Sequence, residues 1–484
     1  MNLGELLAAA LGKRPDLSPL EVTGVVQDHR RVRPGVVFVA RRGATRDGHD
    51  YLPEVLEQGA IAVVGERSGV AELADRGVPY IRVDDDRAAL AKLAAVFFAH
   101  PSRLLTTIGV TGTDGKTTTS FLLHHLLTGS VRSGLLSTAG VRCGKQNLDL
   151  EGHFTTPEAP EVQELLAIFV RQRCSHAVIE ASSHGLAMHR LDAVDFDVGV
   201  WTNLSREHLD YHGTLEAYRD AKRQLLRRAR RSILNRDDPN YPAFAEAARN
   251  AASFGTHEES DWQASDIRTA AKGLTFSLHR AGEQYRARLP MVGSYNVHNA
   301  LAALAAASLT GVPLTTLLER LTVFPGVPGR MQMVTAEPYA VIVDFAHTPA
   351  ALRVALSALR PFTSGRLILV IGAAGERDPD KREPLGRAAA NGADLIIFTE
   401  EDSRSEETER ILAGLARGAR QVGSREGENY LLIPDRRDAI GRAIGNASPG
   451  DTVLLAGKGH ERTLERADEV LPWDEVAEAK KHLL

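Results

Sequence analysis

Residues Leu104–Leu127 read LLTTIGVTGTDGKTTTSFLLHHLL. An apolar, β-branched run (LLTTIGV) passes through a glycine-rich turn into a leucine-rich helical stretch (FLLHHLL), the strand–loop–helix context that a nucleotide phosphate loop requires. Gly112 and Gly115 let backbone N–H groups approach phosphate oxygens. Lys116 offers a point charge to the outer phosphates, and the Thr117 hydroxyl is suited to ligate magnesium. Thr113, Asp114 and Thr118 complete the loop. A tight turn with no ligand is the plain alternative, and the joint presence of strand, glycines, Lys-Thr and helix weighs against it.

Working outward, short apolar runs bounded by Gly, Asp or Asn recur along the chain, separated by alanine- and leucine-rich stretches with helical spacing. That alternation is the mark of α/β architecture with largely parallel sheets. Candidate strands are VVFVA (36–40), IAVVG (61–65), TTIGVTG (106–112), HAVIEAS (176–182), DVGVWTNLS (197–205), RSILN (231–235), AVIVDFAH (340–347), RLILVIGAAG (366–375), ADLIIFTE (393–400) and DTVLLAGKG (451–459). Several are apolar on both faces, as buried parallel strands are. A chain of 484 residues exceeds one ordinary core. Breaks near Pro101 and in the VFPGVPGR run near Gly329 divide it into expected domains 1–101, 102–329 and 330–484, each a parallel or mixed sheet with flanking helices.

The 58 basic and 62 acidic residues nearly cancel, so global charge steers the protein toward neither nucleic acid nor an anionic membrane. Cys143 and Cys174 have no metal-site or disulfide-framework spacing and read as ordinary intracellular thiols. The N-terminus has no basic leader. No segment offers the roughly 18 uninterrupted apolar residues of a spanning helix, so a cytoplasmic location is expected.

Glu180 ends the apolar strand HAVIE. A carboxylate at the C-terminal end of a parallel strand beside a phosphate loop is placed to hold magnesium. Asn296 and Asn299, three apart, face one way if GSYNVHNALAA starts a helix, and taken alone they serve equally well as caps.

Only two residues separate Gly112 from the Gly-Lys pair, fewer than in the general phosphate-loop pattern. This compact form resembles that of the Mur ligases and the folylpolyglutamate synthetases. HFTTPEAP (153–160), EASSHGLAMHRL (180–191) and TNLSREHLDYHGTLEAYRDAKRQLL (202–226) follow in the order found in the MurE-type branch of the Mur ligase family. The resemblance covers nearly the whole chain. It implies an ATP-dependent ligase of peptidoglycan precursor synthesis, forming an acyl-phosphate on UDP-N-acetylmuramoyl-L-alanyl-D-glutamate and transferring it to a diamino acid, with ATP and Mg2+ as cofactors, small-molecule partners only, and a monomeric chain.

By the same resemblance Lys116, Glu180, His208 and Lys222 are the catalytic set, with Thr117, Glu180, His208 and Lys222, as a carbamate, around the metal. Asn203, Asn296, Asn299, Arg330, Asp344 and His347 join the loop in holding ATP. Thr155, Thr156, Ser182 and Arg190 hold the muramoyl-dipeptide. Residues 28–66, including DGHD, resemble the domain that grips the uridine diphosphate end, with Arg30, Gly43, Asp47 and His49 matching; His29 stands where the family usually has Ser. VDFAHTPAAL, GAAGERDPDKREP, TEEDSRSEE and AGKGHE supply the amino-acid pocket: Arg377, Asp402, Arg404, Gly457 and Glu461. Enzymes for meso-diaminopimelate usually carry DNPR where this chain has Glu401-Asp402-Ser403-Arg404. Arg404 favours a carboxylate and Asp402 opposes one, so L-lysine, L-ornithine and meso-diaminopimelate all stay open, the extra acid weighing mildly against the last. A folylpolyglutamate-type ligase and an inactive nucleotide-binding regulator are the alternatives.

Overall fold

The structure, a computed structural model, describes residues 1–13, 19–43, 46–68, 77–148, 155–270 and 273–483. Ala44, Thr45, His153 and Phe154 of the motif-bearing runs lie outside the described residues. The chain divides into two compact units, Met1–Gln263 with Leu301–Leu317, and Ala264–Ala300 with Leu318–Leu484.

The first unit holds two sheets. The smaller is all parallel in the order β1 (Gly24–Val26), β2 (Val36–Ala40), β3 (Ala62–Gly65), β4 (Tyr80–Arg82). Both faces of β2 are buried, Val37 and Val39 toward one core and Val36, Phe38 and Ala40 toward another, as a strand with helices on both sides must be.

The larger sheet is centred on β5 (Thr106–Thr111), with β9 (His176–Glu180) and β10 (Val198–Trp201) as parallel neighbours. Outside β9 come β6 (Ser133–Ser137) and the antiparallel β7 (Gly140–Cys143) and β8 (Gln146–Leu148). Beyond β10 lie β11 (Arg231–Asn235) and β12 (Ala251–Gly255), both parallel. The C-terminal ends of β5, β9 and β10 therefore open side by side on one edge, where ligands of open α/β sheets bind. Cys143 and Cys174 are unbonded, buried neighbours in the core under this sheet, with their sulfurs 3.2 Å apart.

In the second unit, β14 (Gly273–Arg280) and β15 (Glu283–Leu289) form an antiparallel hairpin. The main sheet runs β16 (Gln332–Thr335), β17 (Ala340–Asp344), β21 (Thr452–Ala456), β18 (Leu367–Ile371), β19 (Leu395–Phe398), β20 (Tyr430–Leu432), parallel except for β16. Period-2 alternation sorts its side chains. Leu367, Leu369 and Ile371 pack on helices Pro349–Leu359, Arg382–Gly392 and Thr408–Arg420, whereas Ile368 and Val370 face Arg436–Gly445 and Glu475–Lys481. Each such leucine or isoleucine contributes roughly 1.5–3 kcal/mol by leaving water. The C-terminal ends of β17, β18, β19 and β21 converge on one edge and carry the GAAGERDP, TEEDSRSEE and AGKGHE runs.

Every strand expected from the sequence is present. The half-exposed strands β7, β8 and β13 (Trp262–Ala270) to β15 carry no comparable apolar run, and β6, though fully buried, is only the short SGLLS.

Candidate active site

β5 delivers the chain to Gly112, whose φ is +154° and where an added Cβ would lie 1.8 Å from Thr202 Oγ1, so a side chain is excluded. The segment after β10 braces the turn from that side. Asn203 O accepts from Thr113 N (3.0 Å), Asn203 Oδ1 accepts from Asp114 N (2.8 Å), and Asn203 Nδ2 and the Thr202 hydroxyl donate to Asp114 O (3.1 and 2.6 Å). The Asn203 carbonyl also accepts the indole N–H of Trp201 at 3.1 Å, and that indole stacks on Phe244 at 3.8 Å. These contacts brace the loop from the β10 side. Gly115 precedes the Lys116–Leu127 helix, whose free N–H groups and dipole favour an anion. Lys116 Nζ folds back onto Gly112 O (3.0 Å) and Thr113 O (2.7 Å).

Glu180, buried at the end of β9, accepts from the hydroxyl of Thr117 (2.9 Å), from Ser137, and from Thr138 N and Oγ1 (both 3.0 Å). Its own carbonyl accepts from the Thr156 hydroxyl at 2.9 Å, tying the Thr155-Thr156 segment to β9. Ser182 caps the short helix Ser183–Ala187 by accepting from Gly185 N at 3.0 Å. Arg190 donates to Thr156 O at 2.8 Å and pairs with Glu158 at 2.7 Å; Glu158 also takes Arg41 at 2.6 Å. Lys116, Thr155, Thr156, Ser182, Arg190, His208 and Lys222 line a single pocket of about 220 Å³ together with Ser183, His184 and Tyr218.

Lys222 lies inside the Leu215–Arg228 helix, fully buried, its Nζ donating to Gly112 O at 2.5 Å and sitting 4.4 Å from the Tyr218 ring centre. Among the described residues no carboxylate pairs with it. Burial, with Lys116 nearby adding to it, holds its amine well below the ordinary lysine value. His208, at φ +55°, packs edge-on to His184 at 4.8 Å, and His184 contacts Tyr211 and His212. Burial lowers all three histidines, His212 to about 4, with the lysine charges assisting. Burial thus favours the neutral imidazole in each, the form that can offer a nitrogen lone pair.

The hard oxygens of Thr117 and Glu180 beside a phosphate loop suit Mg2+. The three-residue acidic cluster found among the described residues, Glu66, Asp85 and Asp86, lies apart from this pocket and is exposed at two of its members.

Of the residues expected at the uridine end, Gly43, Asp47 and His49 line a second pocket of about 570 Å³ with Arg42, Arg46 and Arg67. His49 is buried there, bound to Asp47 Oδ1 (2.7 Å) and Tyr80 Oη (3.0 Å), so its ring fixes the wall. Arg30 points to solvent, closed on Asp28 at 2.7 Å, and is not among that pocket's lining. His29 stacks on Tyr51 at 4.0 Å.

In the second unit Asn296 begins a helix, donating to Val292 O at 2.7 Å and accepting from Asn299 at 2.9 Å. Arg330 lies 4.7 Å over the Phe345 ring. Asp344 accepts from Met331 N (2.7 Å) and Ala346 N (2.9 Å), its carboxyl raised by burial against the pull of Arg330, and burial lowers His347. At the ends of β19 and β21, Asp402 takes Lys458 Nζ at 2.8 Å and Glu465 N at 2.9 Å, and Lys458 also meets Glu461 at 2.7 Å. Asp402 thus shares the single Lys458 cation with Glu461, which offsets only part of the repulsion expected of it from the sequence. Arg404 is bound to Glu465 at 2.9 Å and to Gly375 O at 2.9 Å. Arg377 is exposed. Gly457, at φ +103°, leaves the room that Glu401 Oε2 uses, 2.9 Å from where a Cβ would stand. Sequence reasoning missed His184, Tyr218, Lys458 and Glu465, and named Glu401 only as part of the run aligned with DNPR. Lys458 stood inside the quoted AGKGHE run, and Glu465 carried no motif signal.

Family models match three stretches: the Mur ligase family catalytic domain at residues 21–98, the Mur ligase middle domain at 110–307 and the Mur ligase glutamate ligase domain at 329–459. The chain is 48% identical to a UDP-N-acetylmuramyl-tripeptide synthetase of Deinococcus radiodurans, with 99% of each chain covered. It is 39% identical to a UDP-N-acetylmuramoyl-L-alanyl-D-glutamate--2,6-diaminopimelate ligase of Streptomyces coelicolor, covering 97% of this chain and 94% of that one. A solved structure of a ligase of the latter kind superposes with a TM-score of 0.70 at 30% identity, over 100% of this chain and 99% of the other. A braced phosphate loop beside a buried glutamate and a buried lysine, with matches running the length of the sequence, leads to one conclusion: the chain belongs to the Mur ligase family.

Proposed function

We propose that the protein joins a diamino acid to UDP-N-acetylmuramoyl-L-alanyl-D-glutamate, converting ATP to ADP and phosphate, in the cytoplasmic synthesis of peptidoglycan precursors. The observation that carries this reading is the pocket where Lys116 and Lys222, neither paired with a carboxylate among the described residues, face Thr155, Thr156 and Arg190 across the mouth of a phosphate loop. Such a site has cationic and N–H capacity to spare for a nucleotide and a carboxylate together.

In the first step a D-glutamate side-chain carboxylate oxygen attacks the γ-phosphorus of ATP, the bond to the β-phosphate oxygen breaks, and ADP leaves. Lys116 turns from its loop carbonyls to the transferring phosphoryl group, and the loop amides hold the β-phosphate. When bound, magnesium neutralises developing phosphate charge; Thr117 and Glu180 offer it oxygens and His208 a nitrogen. The Lys222 amine, whose burial disfavours the charged form, adds CO2 with loss of a proton. That turns a buried donor into an oxygen anion facing the same region. In the second step the amine nitrogen attacks the acyl carbonyl, the C–O bond to phosphate breaks, phosphate departs, and the amine loses a proton to water.

Thr155, Thr156, Ser182 and Arg190 position the dipeptide end. Gly43, Asp47, His49 and Arg30 are assigned to the uridine diphosphate end, and Asn203, Asn296, Asn299, Arg330, Asp344 and His347 to the nucleotide. Arg377, Asp402, Arg404, Gly457 and Glu461 receive the amino acid. The functional segments are 1–101, 102–329 and 330–484. Phosphate release from ATP with the UDP-linked dipeptide and a diamino acid tests the reading: turnover that needs both supports it. Turnover with folate and glutamate instead would replace it.

A further inference from the structure

Resting on the ligase reading, we infer that Glu465 sets the choice of amine: by engaging the Arg404 guanidinium it denies a second substrate carboxylate its partner, and with Glu401 it shapes the pocket for a diamino monocarboxylic acid.

The fastening is double. Glu465 Oε2 binds Arg404 Nε at 2.9 Å, and the Glu465 carbonyl accepts Arg404 N at 3.1 Å, so β22 (Thr463–Glu465) holds Arg404 by side chain and main chain together. Gly375 O takes another guanidinium N–H at 2.9 Å. Arg404 keeps φ at +50°, a left-handed backbone that a side chain adopts only when its surroundings fix it. A carboxylate arriving there would meet a neutralised guanidinium flanked by the carboxylates of Glu465 and Asp402. The cation nearest Asp402, Lys458, is already shared with Asp402 and Glu461.

The opposite need is visible at Glu401. Its side chain is buried (7% exposed) and its Oε2 has no hydrogen-bond partner among the described residues. A buried carboxylate oxygen without a donor is costly. Burial raises the Glu401 carboxyl even with Lys381 opposing, and it raises Glu461 as well. A distal ammonium seated between these two acids would supply the missing donor and charge. Arg377, exposed at the end of the β18 loop, suits the α-carboxylate. One carboxylate, one nucleophilic amine and one terminal ammonium describe L-lysine or L-ornithine. A second carboxylate, as in meso-diaminopimelate, finds Arg404 occupied.

The test measures kcat/KM for L-lysine, L-ornithine and meso-diaminopimelate with the full-length enzyme, the UDP-linked dipeptide and ATP with Mg2+. The expected result is at least a tenfold preference for one of the monocarboxylates. Glu465→Gln should shrink that preference at least tenfold through the amine KM, with the KM for ATP unchanged. Glu401→Gln should raise the KM of the preferred amine at least tenfold. Preference of the wild type for meso-diaminopimelate overturns the inference, as does an unaltered selectivity ratio in a folded Glu465→Gln. If Glu465→Gln fails to fold, the wild-type ratio and Glu401→Gln decide. Failure of all three amines removes the ligase reading itself, a different result from turnover with the wrong amine.

Discussion

The two candidate sites handle charge in opposite ways. Around the phosphate loop, Lys116 and Lys222 lean on backbone carbonyls, and the carboxylate close by, Glu180, is satisfied by hydroxyls and an amide. At the ends of β19 and β21, Lys458 and Arg404 are each closed on acids of their own unit. On the proposed reading, the site for the polyanion leaves its cations without carboxylate partners, and the site for the zwitterion pairs its own charges first and discriminates with what is left over. The first arrangement spends stability on affinity; the second gives stability and selectivity from the same contacts.

The largest expected effect follows from the uncompensated site. Lys116→Ala should lower kcat by about 10³-fold, since a donor aimed at developing phosphoryl charge contributes on that scale. The measurement is single-turnover phosphate release, and a loss below tenfold would detach Lys116 from the chemistry.

Next comes the balanced site. Lys458→Met strands Asp402 and Glu461 without their cation and should cost about 3–5 kcal/mol of stability in denaturant unfolding, as for other buried pairs broken on one side. A cost under 1 kcal/mol would show that water already screens the pair.

Lys222→Met sharpens the contrast. Activity should fall about 10²-fold and be partly restored by a small carboxylate, yet stability at pH 7 should not fall, because a buried amine with no carboxylate partner is removed and Gly112 O keeps Lys116 as a donor. The pH dependence has a definite sign. The folded lysine value is depressed, so the unfolded chain binds more protons and the wild type gains stability relative to the variant as pH rises toward about 10.4. A wild-type advantage that instead shrinks with pH would mean the amine is charged in the fold.

The strands around the phosphate loop were legible because their signal is local: apolar runs ending at Gly, Asp or Asn, each a few residues long. The same holds for Lys116, Thr117 and Glu180, which sit at the ends of such runs. Pairings across the chain were not legible. Lys222 is distinguished by complete burial against a carbonyl 110 positions away, while its helix reads as an ordinary amphipathic one. Asp402 looked like a repulsive acid because its lysine lies 56 residues on, and Glu465, 61 residues from Arg404, had no pattern to mark it. Strands β14 and β15 alternate polar and apolar residues weakly, and hairpin pairing rather than a core run defines them.

Trp201 and the phosphate loop share one acceptor among the several that brace that loop. The Asn203 carbonyl accepts both the indole N–H and the amide of Thr113, and the indole lies flat on Phe244 in a dry setting. On the proposed reading, and in optical terms, a nucleotide seated at the phosphate loop should register in the emission of Trp201, which shares the Asn203 acceptor with that loop; an emission unchanged on adding ATP would show the two to be uncoupled.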